Sequence, residues 1–172
     1  MTGPAPLVIT AELPPDLFSW ANQLRVDHYP VERNWLKAHV TLFHALPPGA
    51  EGEVSQALAR MARDTAPLPA VLAGIMSLGK GTALRIDSPA MIALWDELAE
   101  RFHGLLTPQD QHPPRLHITV QNKVTPQEAS RLQADLAARI EPRAFAFSGL
   151  GLHAYRGGPW ERLGRYAFRK AR

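Results

Sequence analysis

Two short segments decide the fold: AHVTL at residues 38–42 and LHITV at residues 116–120. Both place a His-x-Thr tripeptide between apolar residues. Successive side chains of a β-strand point to opposite faces, so the histidine and threonine of each segment share one face and the aliphatic residues share the other. Each segment is therefore predicted to be a strand that buries its aliphatic side and presents an imidazole beside a hydroxyl.

Extended and helical patterns alternate around these two segments. Helical spacing of apolar residues and N-terminal capping signals predict helices over 15–25, 51–63 and 89–106 and from Thr125 to about Ile140. Strands are predicted over 7–12, 39–46, 70–78, 82–87, 116–122, 145–155 and 162–169. The order is strand, helix, strand, helix, two strands, then helix, strand, helix, two strands. The chain thus has two halves with the same order of elements.

The bulk composition is that of an ordinary globular protein. The 172 residues, 45% hydrophobic and 20% charged, suit one domain or two small lobes that share a core, and we expect a single domain over 1–172. No run approaches the roughly 18 apolar residues of a membrane span, and the first residues lack a signal-peptide pattern. We therefore expect a cytoplasmic protein without a membrane partner. The absence of cysteine excludes disulfides and thiolate chemistry.

Basic residues are concentrated towards the end of the chain. Between Arg156 and Arg172 the only acidic residue is Glu161, although the formal net charge of the whole chain is only +3. A cationic segment suits an anionic partner such as nucleic acid. A solvated strand whose charges only aid solubility would have the same composition, and both interpretations stay open.

The repeated His-x-Thr pattern suits the cleavage of a phosphodiester. One group must take a proton from the attacking oxygen and another must give one to the leaving oxygen. Two imidazoles, whose ordinary pKa is about 6.5, can hold opposite protonation states at neutral pH and fill both roles. His39 and His117 are the candidates, and the hydroxyls of Thr41 and Thr119 can donate hydrogen bonds to the phosphate. This chemistry needs neither a metal nor a cofactor.

With these motifs the sequence resembles the 2H phosphoesterases, which include 2′-5′ RNA ligase-like and cyclic phosphodiesterase proteins. The resemblance implies a bilobal α+β fold, in which two antiparallel sheets with flanking helices are related by a pseudo-two-fold axis around a central cleft. It also implies action on 2′,3′-cyclic phosphates or 2′-5′ linkages of RNA or nucleotides. One of His39 and His117 would then act as general base and the other as general acid, and Thr41 and Thr119 would bind the phosphate.

Lys123 marks a departure from the family pattern. Family members often carry a basic residue soon after the second motif, whereas here Gln121 and Asn122 come first and the charge lies one place later. If the strand stays regular that far, Lys123 shares a face with His117 and can contact substrate. A surface lysine at a strand end is the alternative.

Further residues are possible substrate contacts. Phe43 is predicted on the same face as His39, where it would stack on a base or pack under a loop. His153 and Tyr155 alternate onto one face of a late strand and Arg156 follows, so all three can line the cleft or form a plain sheet surface. His44 is expected on the opposite face from His39, in a structural role.

Three functions compete at this point. The leading prediction is a metal-independent phosphodiesterase, and the alternative is a non-catalytic module that binds RNA ends or nucleotides. A metal-dependent hydrolase that uses His39, His117 and His153 is the third. The motifs do not distinguish the natural substrate, the acid from the base, or hydrolysis from ligation. They indicate no obligate protein partner and leave the oligomeric state open.

Overall fold

The computed structural model describes residues 5–171, which form two four-stranded antiparallel sheets and four α-helices. The strands are β1 (Leu7–Glu12), β2 (Val40–Leu46), β3 (Leu68–Ser77), β4 (Thr82–Asp87), β5 (His117–Gln121), β6 (Arg143–Phe147), β7 (Gly149–Tyr155) and β8 (Trp160–Ala167). The helices are α1 (Pro15–His28), α2 (Glu51–Arg63), α3 (Pro89–Arg101) and α4 (Pro126–Arg139).

The two sheets have corresponding strand orders. One runs β2-β1-β7-β8 and the other β5-β4-β3-β6, so each sheet has a His-x-Thr strand at one edge. Strands β2 and β5 come within 8 Å of each other between Cα atoms, and α1 packs against β5. This α+β arrangement of two antiparallel sheets confirms the predicted fold class.

The chain passes from one sheet to the other at Ser148, and this point was not predicted. Residues 145–155 were expected to form one strand, but β6 belongs to the sheet of β5 and β7 belongs to the sheet of β2. The Ser148 amide donates to the carbonyl of Glu12 at 3.0 Å, which fixes the start of β7 beside β1. The prediction of a single strand was wrong because both pieces have extended patterns, and only their distant partners separate them.

The aliphatic residues of both His-x-Thr strands are in the core. Val40, Ile118 and Val120 are fully buried, as the alternation predicts. They belong to one hydrophobic cluster that draws side chains from both sheets and all four helices. Burial of each such side chain contributes roughly 1.5–3 kcal/mol, so the core holds both strands firmly in place.

Two of the predicted helix starts carry their caps. The Ser88 hydroxyl accepts a hydrogen bond from the amide of Met91, and the Thr125 hydroxyl accepts one from the amide of Glu128, each at 3.1 Å. Helix α3 ends at Arg101 rather than near residue 106, followed by a turn in which Gly104 has a φ of +90°. Within residues 5–171, no helix is both long and apolar enough to cross a membrane.

Candidate active site

The two motif histidines are held by the same contact. His39 donates from Nδ1 to the carbonyl of Lys37 at 2.7 Å, and His117 donates from Nδ1 to the carbonyl of Arg115 at 2.6 Å. A carbonyl oxygen can only accept, so Nδ1 carries the proton in both rings. The Nε2 atom of each neutral imidazole is therefore left with a free lone pair. This tautomer can accept a proton at Nε2 and return it from the same atom.

His39 lies partly buried beneath Trp160, with 4.6 Å between the ring centroids. Burial lowers the pKa of His39 from its usual 6.5 to about 4, against the opposing effect of the hydrogen bond to the Lys37 carbonyl. The positive charges of Arg25, His153 and His117 lower this pKa further. His39 is therefore neutral at neutral pH, with Nε2 ready to accept a proton.

A cavity of about 590 Å³ opens beside His39. Its lining includes Glu12, His153 and Arg162 from the strands of one sheet, and the indoles of Trp35 and Trp160. The Arg162 guanidinium donates to the Glu12 carboxylate at 2.6 Å, which neutralises both charges at the edge of the cavity. Lys37 and Arg165 also line the cavity, beside the imidazoles of His39 and His153.

His153 faces the same cavity from β7. Its Nε2 is hydrogen bonded to the Thr10 hydroxyl at 3.0 Å, and its ring lies 5.3 Å from that of Trp160. Burial lowers the pKa of His153 to about 4, the charge of Arg162 lowers it further, and Glu12 opposes the shift. The structure thus brings His153 beside His39, although the bond to Thr10 occupies one of its nitrogens.

Phe43 is in the core, and its predicted position was wrong. The side chain is fully buried, stacked on Trp95 at 5.4 Å and edge-on to Phe102 at 6.0 Å. The β1–β2 register shifts on either side of the Ile9–Phe43 pair, so β2 contains irregularities that break its alternation. Because of this shift Phe43 points inward, and it cannot stack on a substrate base.

The same irregularity places His44 on the face of β2 that also carries Thr41. The prediction that His44 lies on the opposite face was therefore wrong. The amides of His44 and Ala45 donate to the carboxylate of Asp110 at 2.9 Å, and the His44 Nδ1 is 3.1 Å from the same carboxylate. Asp110 is buried in a short 3-10 turn, Gln109–Gln111, and these bonds hold its pKa below its usual value despite its burial. Asp110 was missed because nothing near it in sequence indicates a contact with β2.

A second cavity, of about 360 Å³, lies next to the first. Residues from α1, β2, β7 and the loop after β5 line it, and they include Arg25, Thr41, His44, Lys123 and Tyr155. Trp35 and Trp160 line both cavities, so the two spaces share an aromatic wall. The predicted contacts Thr41, Lys123 and Tyr155 thus come together here.

Lys123 reaches this cavity by a route other than the predicted one. Strand β5 ends at Gln121, which is buried and accepts a hydrogen bond from the Thr82 hydroxyl at 3.0 Å. Lys123 then adopts a left-handed conformation with a φ of +61°. The premise of a regular face from His117 to Lys123 was therefore wrong, and the turn after the strand is what positions the lysine.

The remaining predicted residues lie outside the two cavities. Arg156 donates to Glu161 at 2.7 Å, with both side chains about half exposed, and it lines neither cavity. His117 and Thr119 also line neither, and their strand approaches β2 from the other sheet. Arg172, the last residue of the cationic segment, is outside the described residues.

Arg25 connects β5 with the second cavity and was not predicted. Its buried guanidinium donates to the Thr119 carbonyl at 2.8 Å and to the Asn34 side chain at 3.2 Å, and it lies 4.3 Å from the Tyr29 ring centre. Burial lowers its pKa. The burial of Arg25 could have been predicted from the sequence. Leu17, Ala21 and Arg25 follow each other at a spacing of four, so they share one face of α1, and this face is buried.

The part of the chain from residue 5 to residue 171 contains no group of three or more His, Cys, Asp or Glu side chains that could hold a metal ion. His39, His117 and His153, the ligands considered for a metal-dependent hydrolase, do not form such a group.

The arrangement is that of a two-histidine phosphoesterase fold, and comparison with known proteins agrees. The family described as the 2′-5′ RNA ligase superfamily matches residues 13–159. The chain therefore belongs to this superfamily of 2H phosphoesterases. No curated protein matches the sequence.

Solved structures resemble the chain over almost its whole length. TT0787 of Thermus thermophilus has 20% identity and a TM-score of 0.66, and the match covers 97% of this chain and 100% of that one. E. coli LigT complexed with 3′-AMP has 21% identity and a TM-score of 0.62, with 98% and 100% covered. LigT complexed with NADP+ has 21% identity and a TM-score of 0.60, also with 98% and 100% covered. These similarities establish the fold.

Proposed function

We propose that this chain is a metal-independent phosphodiesterase that hydrolyses 2′,3′-cyclic phosphates of RNA ends or nucleotides, or acts on 2′-5′ linkages. The observation that carries the proposal is the matched anchoring of His39 and His117, each through Nδ1 to a carbonyl two residues earlier. That anchoring leaves two Nε2 atoms for proton transfer. Nucleotide complexes of LigT support a nucleotide substrate. We place this role in RNA or nucleotide processing in the cytoplasm, in one domain that includes both sheets.

The low pKa of His39 supports a role as the general base in this proposal. His39 is neutral at neutral pH and accepts the proton of the attacking water at Nε2. The water oxygen forms a bond to phosphorus while the bond to the leaving ribose oxygen breaks. For the step to balance, His117 must enter it as an imidazolium, with a proton on each nitrogen, and donate the Nε2 proton to that oxygen. The Thr41 and Thr119 hydroxyls donate to the non-bridging oxygens and stabilise their developing charge.

The test is turnover in the presence of a chelator. Nucleoside 2′,3′-cyclic phosphates and 2′-5′-linked oligonucleotides are incubated with the wild-type protein, His39→Ala, His117→Ala and, as a matched control, His112→Ala on an exposed loop. Removal of either proton-transfer group is expected to lower kcat by roughly 10²–10⁴-fold, and His112→Ala is expected to have no effect.

Three outcomes would contradict the proposal. Turnover that survives both active-site substitutions would exclude the two-histidine mechanism. Binding without turnover would favour the non-catalytic module. Loss of activity on chelation, with recovery on adding metal, would favour a metal-dependent hydrolase.

A further inference from the structure

The second cavity is lined by cations and by no carboxylate. Arg25, Arg33 and Lys123 line it, together with the imidazole of His44, and its lining residues include no Asp or Glu. The His44 ring contacts Asp110, whose carboxylate is already used by two amides and that ring. Three permanent positive charges around about 360 Å³ attract an anion.

The buried charge of Arg25 also favours an anion in this cavity. Only 3% of its surface is exposed, and among residues 5–171 no carboxylate lies within 4.0 Å of the guanidinium. Its protein partners are a carbonyl, an amide oxygen and a tyrosine ring. Burying a charge without a counter-charge is costly, and an anionic ligand in the cavity would supply one.

The cavity is adjacent to the proposed reaction site. Thr41 lines it, two residues along the chain from His39. The wall of Trp35, Leu36 and Trp160 is common to this cavity and the one beside His39. A ligand whose reacting phosphate lies beside His39 can therefore extend into the cationic cavity, and the aromatic wall offers a surface for its nucleoside.

We propose that the cationic cavity binds a second phosphate of the substrate. The preferred substrate then carries a reacting cyclic phosphate at the histidines and another phosphate that contacts Arg25, Arg33 and Lys123. The identity of the reacting group rests on the proposed function. The second phosphate is either the 5′-phosphate of a mononucleotide or the internucleotide phosphate of an RNA end, and both present the same anionic oxygens.

A binding experiment tests the subsite without requiring turnover. Calorimetry compares adenosine 3′-monophosphate with adenosine 3′,5′-bisphosphate on the wild-type protein, Arg33→Ala, Lys123→Ala and the double variant. We expect the wild type to bind the bisphosphate at least about tenfold more tightly, which corresponds to about 1.4 kcal/mol. Each single variant should reduce this ratio about threefold or more, and the double variant should bring it close to one.

Arg60→Ala is the matched control. Arg60 is exposed on α2 and lines a different groove, and its replacement removes the same charge from the chain. It should leave the affinity ratio unchanged. A wild-type ratio near one would overturn the proposal, and so would an equal effect of Arg60→Ala and Arg33→Ala, which would indicate only a general effect of net charge.

Hydrolysis then identifies the source of the phosphate. A nucleoside 2′,3′-cyclic phosphate is compared with its 5′-phosphorylated form and with a dinucleotide that ends in a cyclic phosphate. A higher kcat/KM for either phosphorylated substrate supports the subsite and names its ligand, and equal values for all three would contradict it. If none is hydrolysed, the proposed function fails, whereas the binding ratio still decides the subsite.

Discussion

His39 packs against Trp160, and this contact is part of the burial of the proposed base. The indole covers the imidazole at 4.6 Å between centroids, and burial is the largest cause of the low pKa of His39. Because an uncharged base can act at low pH, we expect the acidic limb of the kcat/KM profile to fall near pH 4. The pH profile of the free enzyme measures this limb directly.

Removing the indole should raise the pKa of His39. In Trp160→Ala the imidazole is hydrated, so its pKa should move from about 4 towards 6.5, by about one unit or more. An NMR titration of the His39 ring measures the shift independently of activity. Trp20→Ala, at an exposed indole on α1, is the control and should leave the titration unchanged. A wild-type His39 that titrates near its ordinary value would contradict the assignment of the base.

At the scale of elements, the hydrogen bonds to Asp110 stabilise the irregular part of β2. Its buried carboxylate accepts from two amides and one imidazole at the point where the alternation of β2 breaks. Asp110→Asn replaces one accepting oxygen by an amide group that cannot accept from a backbone N–H. We expect the free energy of unfolding to fall by about 2–3 kcal/mol, as measured by urea denaturation.

A surface aspartate provides the comparison for this substitution. Asp64 pairs with Arg63, and both side chains are more than half exposed. Asp64→Asn should therefore change the free energy of unfolding by less than about 0.5 kcal/mol. If Asp110→Asn has an equally small effect, the carboxylate does not hold β2 in the way that the hydrogen bonds indicate.

At the scale of the whole molecule, the partly buried His39 and the buried His153 make the stability dependent on pH. The pKa values of His39 and His153 are lowered to about 4, so both bind protons more weakly in the folded chain than in the unfolded chain. Their contribution is fully present above the ordinary value of 6.5 and is lost as the pH falls towards about 4. The free energy of unfolding should hence decrease over that window.

The size of this effect follows from the shifts. One pKa unit corresponds to about 1.4 kcal/mol, so each histidine can contribute up to roughly 3 kcal/mol. Urea denaturation at about pH 6.5 and about pH 4.5 should show a clear loss in the wild type and about half of that loss in His153→Gln. His103→Gln, at an exposed position after α3, should behave as the wild type does. A loss of equal size in His153→Gln would show that other groups cause it.

Local sequence patterns correctly predicted the features that depend only on neighbouring residues. The alternation in the segments at 38–42 and 116–120 predicted which side chains are buried, and Ser88 and Thr125 predicted the starts of α3 and α4. The repeated order of elements predicted two similar halves, and the resemblance to the 2H phosphoesterases implied the two antiparallel sheets that the structure contains. Strand alternation and helix capping depend on neighbouring residues, so the sequence alone determined the buried faces of these strands, the helix starts and the pairing of His39 with His117 as candidates.

Only the tertiary structure decided the surroundings of those histidines. The burial of Phe43 and the exposure of His44 depend on the register of β2 against β1, and the change of sheet at Ser148 depends on partners far along the chain. Arg25 and Asp110 act through contacts with β5 and β2, from which they are separated by many residues. Register, burial and electrostatic fields depend on groups that are distant in sequence, so a local pattern does not determine them.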